Sequence, residues 1–217
     1  MTALRRRRLR QEDPAGTREL ILNEAMRLIA RGGVEELRIK DIADAVGIQP
    51  PSIYKHFASR DAIIGTLARQ MVDDIAQFVQ ADLDLEPGPA IEQWARGIVW
   101  FFATRPAYAY MLLRDMATPG GYEAIVAALG PAEDTYKLAP LKARHEKLEQ
   151  VLQKGVDLGI FRPMDAGTFS AMIYGAVLLA LVWPYMPRPP VRNAAQLDAL
   201  QADAAAIALR LLQPARD

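Results

Sequence analysis

Ile39-Lys40-Asp41-Ile42-Ala43-Asp44-Ala45-Val46-Gly47-Ile48-Gln49-Pro50-Pro51-Ser52-Ile53-Tyr54-Lys55-His56-Phe57 is the stretch on which the reading of the chain turns. Ile39, Ile42, Ala43 and Val46 recur at helical spacing, so a first short helix shows one apolar face. Gly47 falls where the backbone must turn through a positive φ, which costs glycine little. Pro50 and Pro51 suit a helix start, because the N–H groups they lack would have no helical partner there. Pro51 disfavours α conformation at Pro50, so the second helix is expected to begin at Pro51. Ile53 and Phe57, four apart, bury that helix against the first. Ser52, Tyr54, Lys55 and His56 are left facing outward, a surface suited to reading DNA.

Working outward, the segment resembles the N-terminal domain of the TetR family of bacterial transcriptional regulators. The resemblance runs through Thr17-Arg18-Glu19-Leu20-Ile21-Leu22, Ala25, Gly32-Gly33, Asp41-Ile42-Ala43, Val46-Gly47, Ser52-Ile53-Tyr54 and His56-Phe57. It continues into Ser59-Arg60-Asp61-Ala62-Ile63-Ile64, like that family's start of a fourth helix, and covers roughly residues 15 to 72. It implies a helix-turn-helix domain in which Lys40, Gln49, Pro51, Ser52, Tyr54, Lys55 and His56 face double-stranded DNA. Two departures stand out. Arg38 and Gln49 occupy positions where the family often has capping Thr and Ser, so both caps should be weak. Pro50 replaces a common lysine and removes one possible phosphate contact. Tyr54 has a second reading, with its ring packed under the helix and only its hydroxyl exposed.

Composition agrees with a DNA reader joined to a second domain. The 217 residues carry no net charge, yet residues 1–69 hold 13 Lys+Arg against 9 Asp+Glu, and residues 70–217 hold 13 against 17. A basic reader with an acidic remainder lets the second domain stay off the phosphates. There is no cysteine, which excludes disulfides and agrees with a reducing cytoplasm. Arg5 to Arg8 lack the apolar core of an export signal after them. They can grip phosphates or a minor groove, or be a solvated tail. Ala166 to Pro187 contains no charge and is long enough to cross a bilayer. Thr168, Ser170, Gly167, Gly175 and Pro184 interrupt it, and a buried helix explains it equally well.

The expected fold is all-α, with residues 1–14 a disordered basic arm, 15–60 the three-helix DNA-binding domain, and 61–217 a helical regulatory and dimerisation domain. Helices are expected over 15–31 and, capped by Ser59, over a long element reaching Leu83. Glu86-Pro87-Gly88-Pro89 should break the chain before helices over 90–104 and 106–117. Later helices are expected over 122–130, 141–158, from Asp165, and over 195–212. No strand alternation and no internal repeat is present.

Catalysis finds little support. The chain has two histidines, one of them in the DNA helix, and no phosphate-binding glycine loop or nucleophile motif. The expectation is that it is not an enzyme and needs no cofactor. His145 and Glu149 share a helix face, but a solvent-exposed pair suits them better than a metal site, and no metal is expected.

Trp94, Ile98, Phe101, Phe102, Tyr108, Tyr110 and Met111 form an aromatic-rich run. They either line a cavity for an apolar or aromatic effector or build a core wall and a subunit contact, with Trp100 pointing the other way. Leu197, Leu200, Ala204, Ile207 and Leu211 follow three-four spacing, and Phe169, Met172, Ile173, Ala176 and Ala180 offer a second stripe. Both suit a four-helix homodimer interface or the protomer's own core. The reading that unites these features is a cytoplasmic, homodimeric repressor released from a near-palindromic operator by a small molecule. The alternatives are an activator or DNA-binding dimer without an effector, and a membrane-attached helical protein.

Overall fold

A computed structural model describes residues 14–117, 119, 135–182, 191 and 193–214. Its described helices are α1 (Pro14–Gly32), α2 (Ile39–Val46), α3 (Pro50–Ile53), α4 (Arg60–Phe78), α5 (Pro87–Thr104), α6 (Pro106–Ala117), α7 (Thr135–Asp157), α8 (Ala166–Val182) and α9 (Ala194–Leu212). No strand occurs among the described residues. The expected arm and the expected helix over 122–130 lie outside the described residues. The chain forms two compact units, residues 1–70 with 110–132, and residues 71–109 with 133–217. The division therefore falls within α4 and again within α6, not at residue 60.

In the first unit, Ile21, Ala25 and Ile29 of α1 are fully buried with Ile42 and Ala43 of α2 and Ile53 of α3. These apolar contacts, spaced three and four apart on each helix, set the packing of α1 on α2 and of α2 on α3. α1 closes at Gly33, whose φ is +78° and whose N–H donates to Ile29 O at 2.7 Å. In the second unit α5 packs against α7, α8 and α9. Encirclement explains its composition: Ile91, Trp94, Ile98 and Phe102 are buried together with Ala95, Val99 and Phe101 around nearly the whole helix. Gln201 Nε2 also donates to Arg96 O at 3.1 Å, tying α9 to α5.

Several boundaries differ from the sequence expectation for physical reasons. α4 ends at Phe78, not Leu83. Beyond its end, Gln80 Nε2 donates to Ala76 O at 2.6 Å and so satisfies a carbonyl of the last turn. Asp82 Oδ1 then accepts from Asp84 N, closing a turn. α5 starts at Pro87, so Pro87 and Pro89 open the helix where a missing N–H is free of cost, and do not break before it. α7 begins at Thr135, ahead of the expected start at 141, with Pro140 close to its beginning. α8 and α9 both start behind a side-chain cap: Asp165 Oδ1 accepts from Thr168 N at 2.7 Å and Asn193 Oδ1 from Gln196 N at 2.9 Å.

In the uncharged stretch after Asp165 the described residues form the 17-residue α8. Among the described residues no helix is long and apolar enough to cross a membrane.

Gly155 of α7 carries a close contact. A Cβ there would lie 2.0 Å from Phe161 Cδ2, so the phenyl ring uses the space that any other residue would fill. The loop after Phe161 is fixed by Arg162, whose backbone N–H donates to Leu212 O at 2.8 Å and whose Nε donates to Leu211 O at 2.6 Å.

Candidate DNA interface and effector site

The turn between α2 and α3 is built as its residues dictate. Gly47 takes φ +78° and ψ 35°, and its N–H donates to Ala43 O at 2.9 Å while Ile48 N donates to the same oxygen. Arg38 and Gln49 hold the N-cap places in extended conformation without side-chain cap bonds, as their residue types foretell. The recognition helix differs from expectation. It begins at Pro50, not Pro51, and spans four residues, followed by a turn through Tyr54 to His56. Gln49 is extended, the state favoured before a proline, so the start sits one residue earlier. Phe57 N and His56 N both donate to Ile53 O, closing the turn onto the helix.

This geometry separates two faces. Ile53 and Phe57 are buried, and the Arg18 guanidinium lies 4.8 Å above the Phe57 ring. Gln49, Pro51, Tyr54 and Lys55 are exposed, with Tyr54 at 55%, while Ser52 and His56 are half-buried at the edge. Lys40 is exposed at the start of α2. The structure thus brings Gln49, Pro51, Ser52, Tyr54, Lys55 and His56 onto one short element. A phenol, an amide, an ammonium and an imidazole there can meet phosphates and base edges. Arg38, also exposed, adds a cation at a position that the sequence marks only as a poor cap.

The aromatic run packs ring on ring. Trp94 stacks on Phe169 at 5.4 Å and meets Tyr174 edge-on at 6.2 Å. Phe101 meets Phe102 edge-on at 5.1 Å and stacks on Tyr108 at 5.9 Å, and Phe102 meets Tyr174 at 5.9 Å. Trp94, Ile98, Phe101 and Phe102 are fully buried. Met111 is buried but belongs to the first unit, and the Tyr110 side chain lies outside those described. Trp100 points away from the cluster and shares a half-exposed surface with Phe78 and Arg105. Tyr108 donates weakly to Asp74 at 3.4 Å, and burial, reinforced by the negative charge of Asp74, pushes its pKa up to about 12. Tyr174 and Arg144, which no motif or spacing in the sequence singles out, complete the cluster. Arg144 Nη1 donates to Tyr174 Oη at 2.9 Å.

The two stripes on α8 and α9 divide by burial. Phe169, Ile173 and Ala204 are buried within the protomer. Met172 and Ile207 are 49% and 44% exposed, Ala176 is exposed, and Ala180, Leu197, Leu200 and Leu211 are half-buried. Between the helices runs a groove of about 50 Å³ lined by Ile173, Ala176, Ala180, Leu200, Ala204 and Ile207, among others. His145 and Glu149 gather no third ligand, and no group of three metal-binding side chains exists among the described residues.

Residues 21–67 match the family model described as bacterial regulatory proteins, tetR family. Along most of its length the chain is similar to the HTH-type transcriptional repressor KstR2 of Mycolicibacterium smegmatis, at 25% identity over 82% of this chain and 83% of the relative. The fold is that of the ketosteroid transcriptional regulator KstR2 of Mycobacterium tuberculosis, with a TM-score of 0.64, 21% identity, and 93% and 97% of the two chains covered. The TetR-family regulator PfmR of Thermus thermophilus is comparable, with a TM-score of 0.62, 22% identity, and 89% and 99% covered.

Proposed function

Since the chain is a TetR-family transcriptional regulator, we propose that it is a homodimeric repressor released from a near-palindromic operator by a small apolar or aromatic effector. The observation that carries this reading is the exposed set Gln49, Pro51, Tyr54 and Lys55 standing directly over buried Ile53 and Phe57. A helix-turn-helix presents base-reading side chains in that manner, and its symmetric copy reads the second half-site. Lys40 and His56 flank the set and serve the phosphates. The name of the KstR2 relative supports repression over activation. Dimerisation is supported by the groove between α8 and α9 with Met172, Leu179 and Ile207 exposed beside it, apolar surface that a symmetry mate would cover. The buried rings around Trp94 support an effector site in the second unit. DNA binding and a cysteine-free chain support action in the cytoplasm.

The test is fluorescence anisotropy with DNA from upstream of the protein's own gene, titrated with salt. Affinity should fall steeply as salt rises, because phosphate contacts release counterions. Tyr54→Ala should weaken binding, and Lys55→Ala should weaken it and reduce the salt slope by about one for each phosphate no longer neutralised. Salt-independent binding, or variants indistinguishable from wild type, would overturn the assignment.

A further inference from the structure

Two buried donors in the second unit have nothing to donate to. Trp94 Nε1 and Arg144 Nε are both shielded from solvent, and neither has a hydrogen-bond partner among the described residues. Buried N–H groups in folded proteins are almost always paired, so an orphan calls for a physical account. Both groups are donors only, and what they lack is therefore an acceptor. They also belong to one cluster. Tyr174 takes the Trp94 ring edge-on at 6.2 Å and lies 5.6 Å from the Arg144 guanidinium, from which its hydroxyl accepts a bond at 2.9 Å. The phenol carries no charge to offset the guanidinium, and no carboxylate forms an ion pair with Arg144 among the described residues. A water molecule can satisfy an indole N–H, but it does not neutralise a part-buried cation set against the Tyr174 ring. Arg144 is partly exposed and Trp94 fully buried, and both touch the Tyr174 side chain.

We propose that the effector is an apolar carboxylate: its carboxylate oxygens accept from Arg144, its body lies along Tyr174 and Phe102, and an oxygen of the ligand takes the Trp94 N–H. This deepens the effector reading, and rests on it only for the consequence at the operator. Binding at Arg144 stands or falls by itself.

Calorimetry on the full-length protein tests it with matched probes: decanoate against 1-decanol, and 2-naphthylacetate against 2-naphthylethanol. At least one acid should bind about tenfold or more tightly than its alcohol, as charge-assisted bonds to arginine require. The chain and ring pairs report which body shape the site takes. Arg144→Gln should abolish the acid's advantage by weakening the acid about tenfold or more relative to its alcohol, and Trp94→Phe, which keeps a ring but loses the donor, should weaken the acid further. The wild-type ratio of acid to alcohol decides the matter even if Arg144→Gln fails to fold. Equal binding of acid and alcohol, no binding of either acid, or an acid preference that survives Arg144→Gln would overturn the proposal and leave the donors to water. An alcohol that binds and frees operator DNA sinks the carboxylate while sparing the effector reading. An acid that binds through Arg144 without freeing DNA does the reverse.

Discussion

Arg60 holds the first unit together from the opening turn of α4. Its Nε donates to Leu37 O at 2.8 Å and its Nη2 donates to Val34 O, so one guanidinium closes the loop between α1 and α2. Removing it takes away the Leu37 carbonyl's side-chain donor and one donor of Val34 O, which keeps its bond from Leu37 N at 3.2 Å. Arg60→Ala should therefore lower stability by about 1–3 kcal/mol in urea unfolding, and operator affinity should fall with it because α2 loses its anchor. In the sequence, Ser59-Arg60 announces only a helix start, and Ser59 Oγ does accept from Ala62 N at 3.1 Å. The anchoring role is illegible there because its partners lie 23 and 26 residues away on a loop with no periodicity. Tyr108 gives a second prediction at this scale. Its pKa is raised to about 12 by burial and by Asp74, so the folded state keeps a proton that the unfolded chain surrenders near its ordinary value of 10.0. The stabilisation is complete below the unfolded pKa and is lost as pH climbs through the interval toward 12. In thermal melts across that interval, Tyr108→Phe should lose stability less steeply than wild type. Parallel declines would mean that Tyr108 ionises as freely in the folded state as in the unfolded one.

Helices are legible to the extent that their apolar residues keep to one face. α2 shows a single buried face of Ile42, Ala43 and Val46, and its place and its closing glycine follow from the sequence. The end of α4 is not legible, because no proline or glycine marks it and its last-turn Ala76 carbonyl is satisfied by a side-chain amide. α8 is apolar nearly all round, so spacing does not distinguish the face that meets Trp94 from the face that remains open. The result is that Phe169 and Ile173 look inward while Met172 and Ala176 look out. On α9 the exposed Ile207 and half-buried Leu200 border the same groove. Changing both to aspartate puts charges where a dimer would exclude water and spares the fully buried Ala208 and Leu212. Leu200→Asp with Ile207→Asp should yield a folded monomer in sedimentation analysis and remove operator binding. A wild-type protein that sediments as a monomer at micromolar concentration would refute the interface.

In the proposed homodimer, affinity for DNA depends on two copies acting together. Their recognition elements should enter successive major grooves about 34–36 Å apart, one helical turn or a multiple of it. Inserting about five base pairs, half a helical turn, between the operator half-sites moves one of them to the opposite side of the duplex and should abolish tight binding. Inserting about ten should restore part of it, and equal affinity for every spacing would show that the copies bind independently. An effector need shift this arrangement only slightly, since a coupling of about 1–3 kcal/mol changes operator affinity roughly 5- to 150-fold. The aromatic residues are legible in the sequence as a group, yet which of them touch a ligand is not, because a buried ring serves packing and recognition with the same surface. The contact between Gly155 and Phe161 reaches beyond this single chain, into how its kin can diverge. With Phe161 Cδ2 2.0 Å from where a Cβ would stand, an aromatic ring at position 161 requires glycine at 155. A lineage that gains a side chain at the one must first trim the other. Across descendants of a common ancestor the two positions should change as a pair, a trace of this helix end left in sequences whose structures have never been determined.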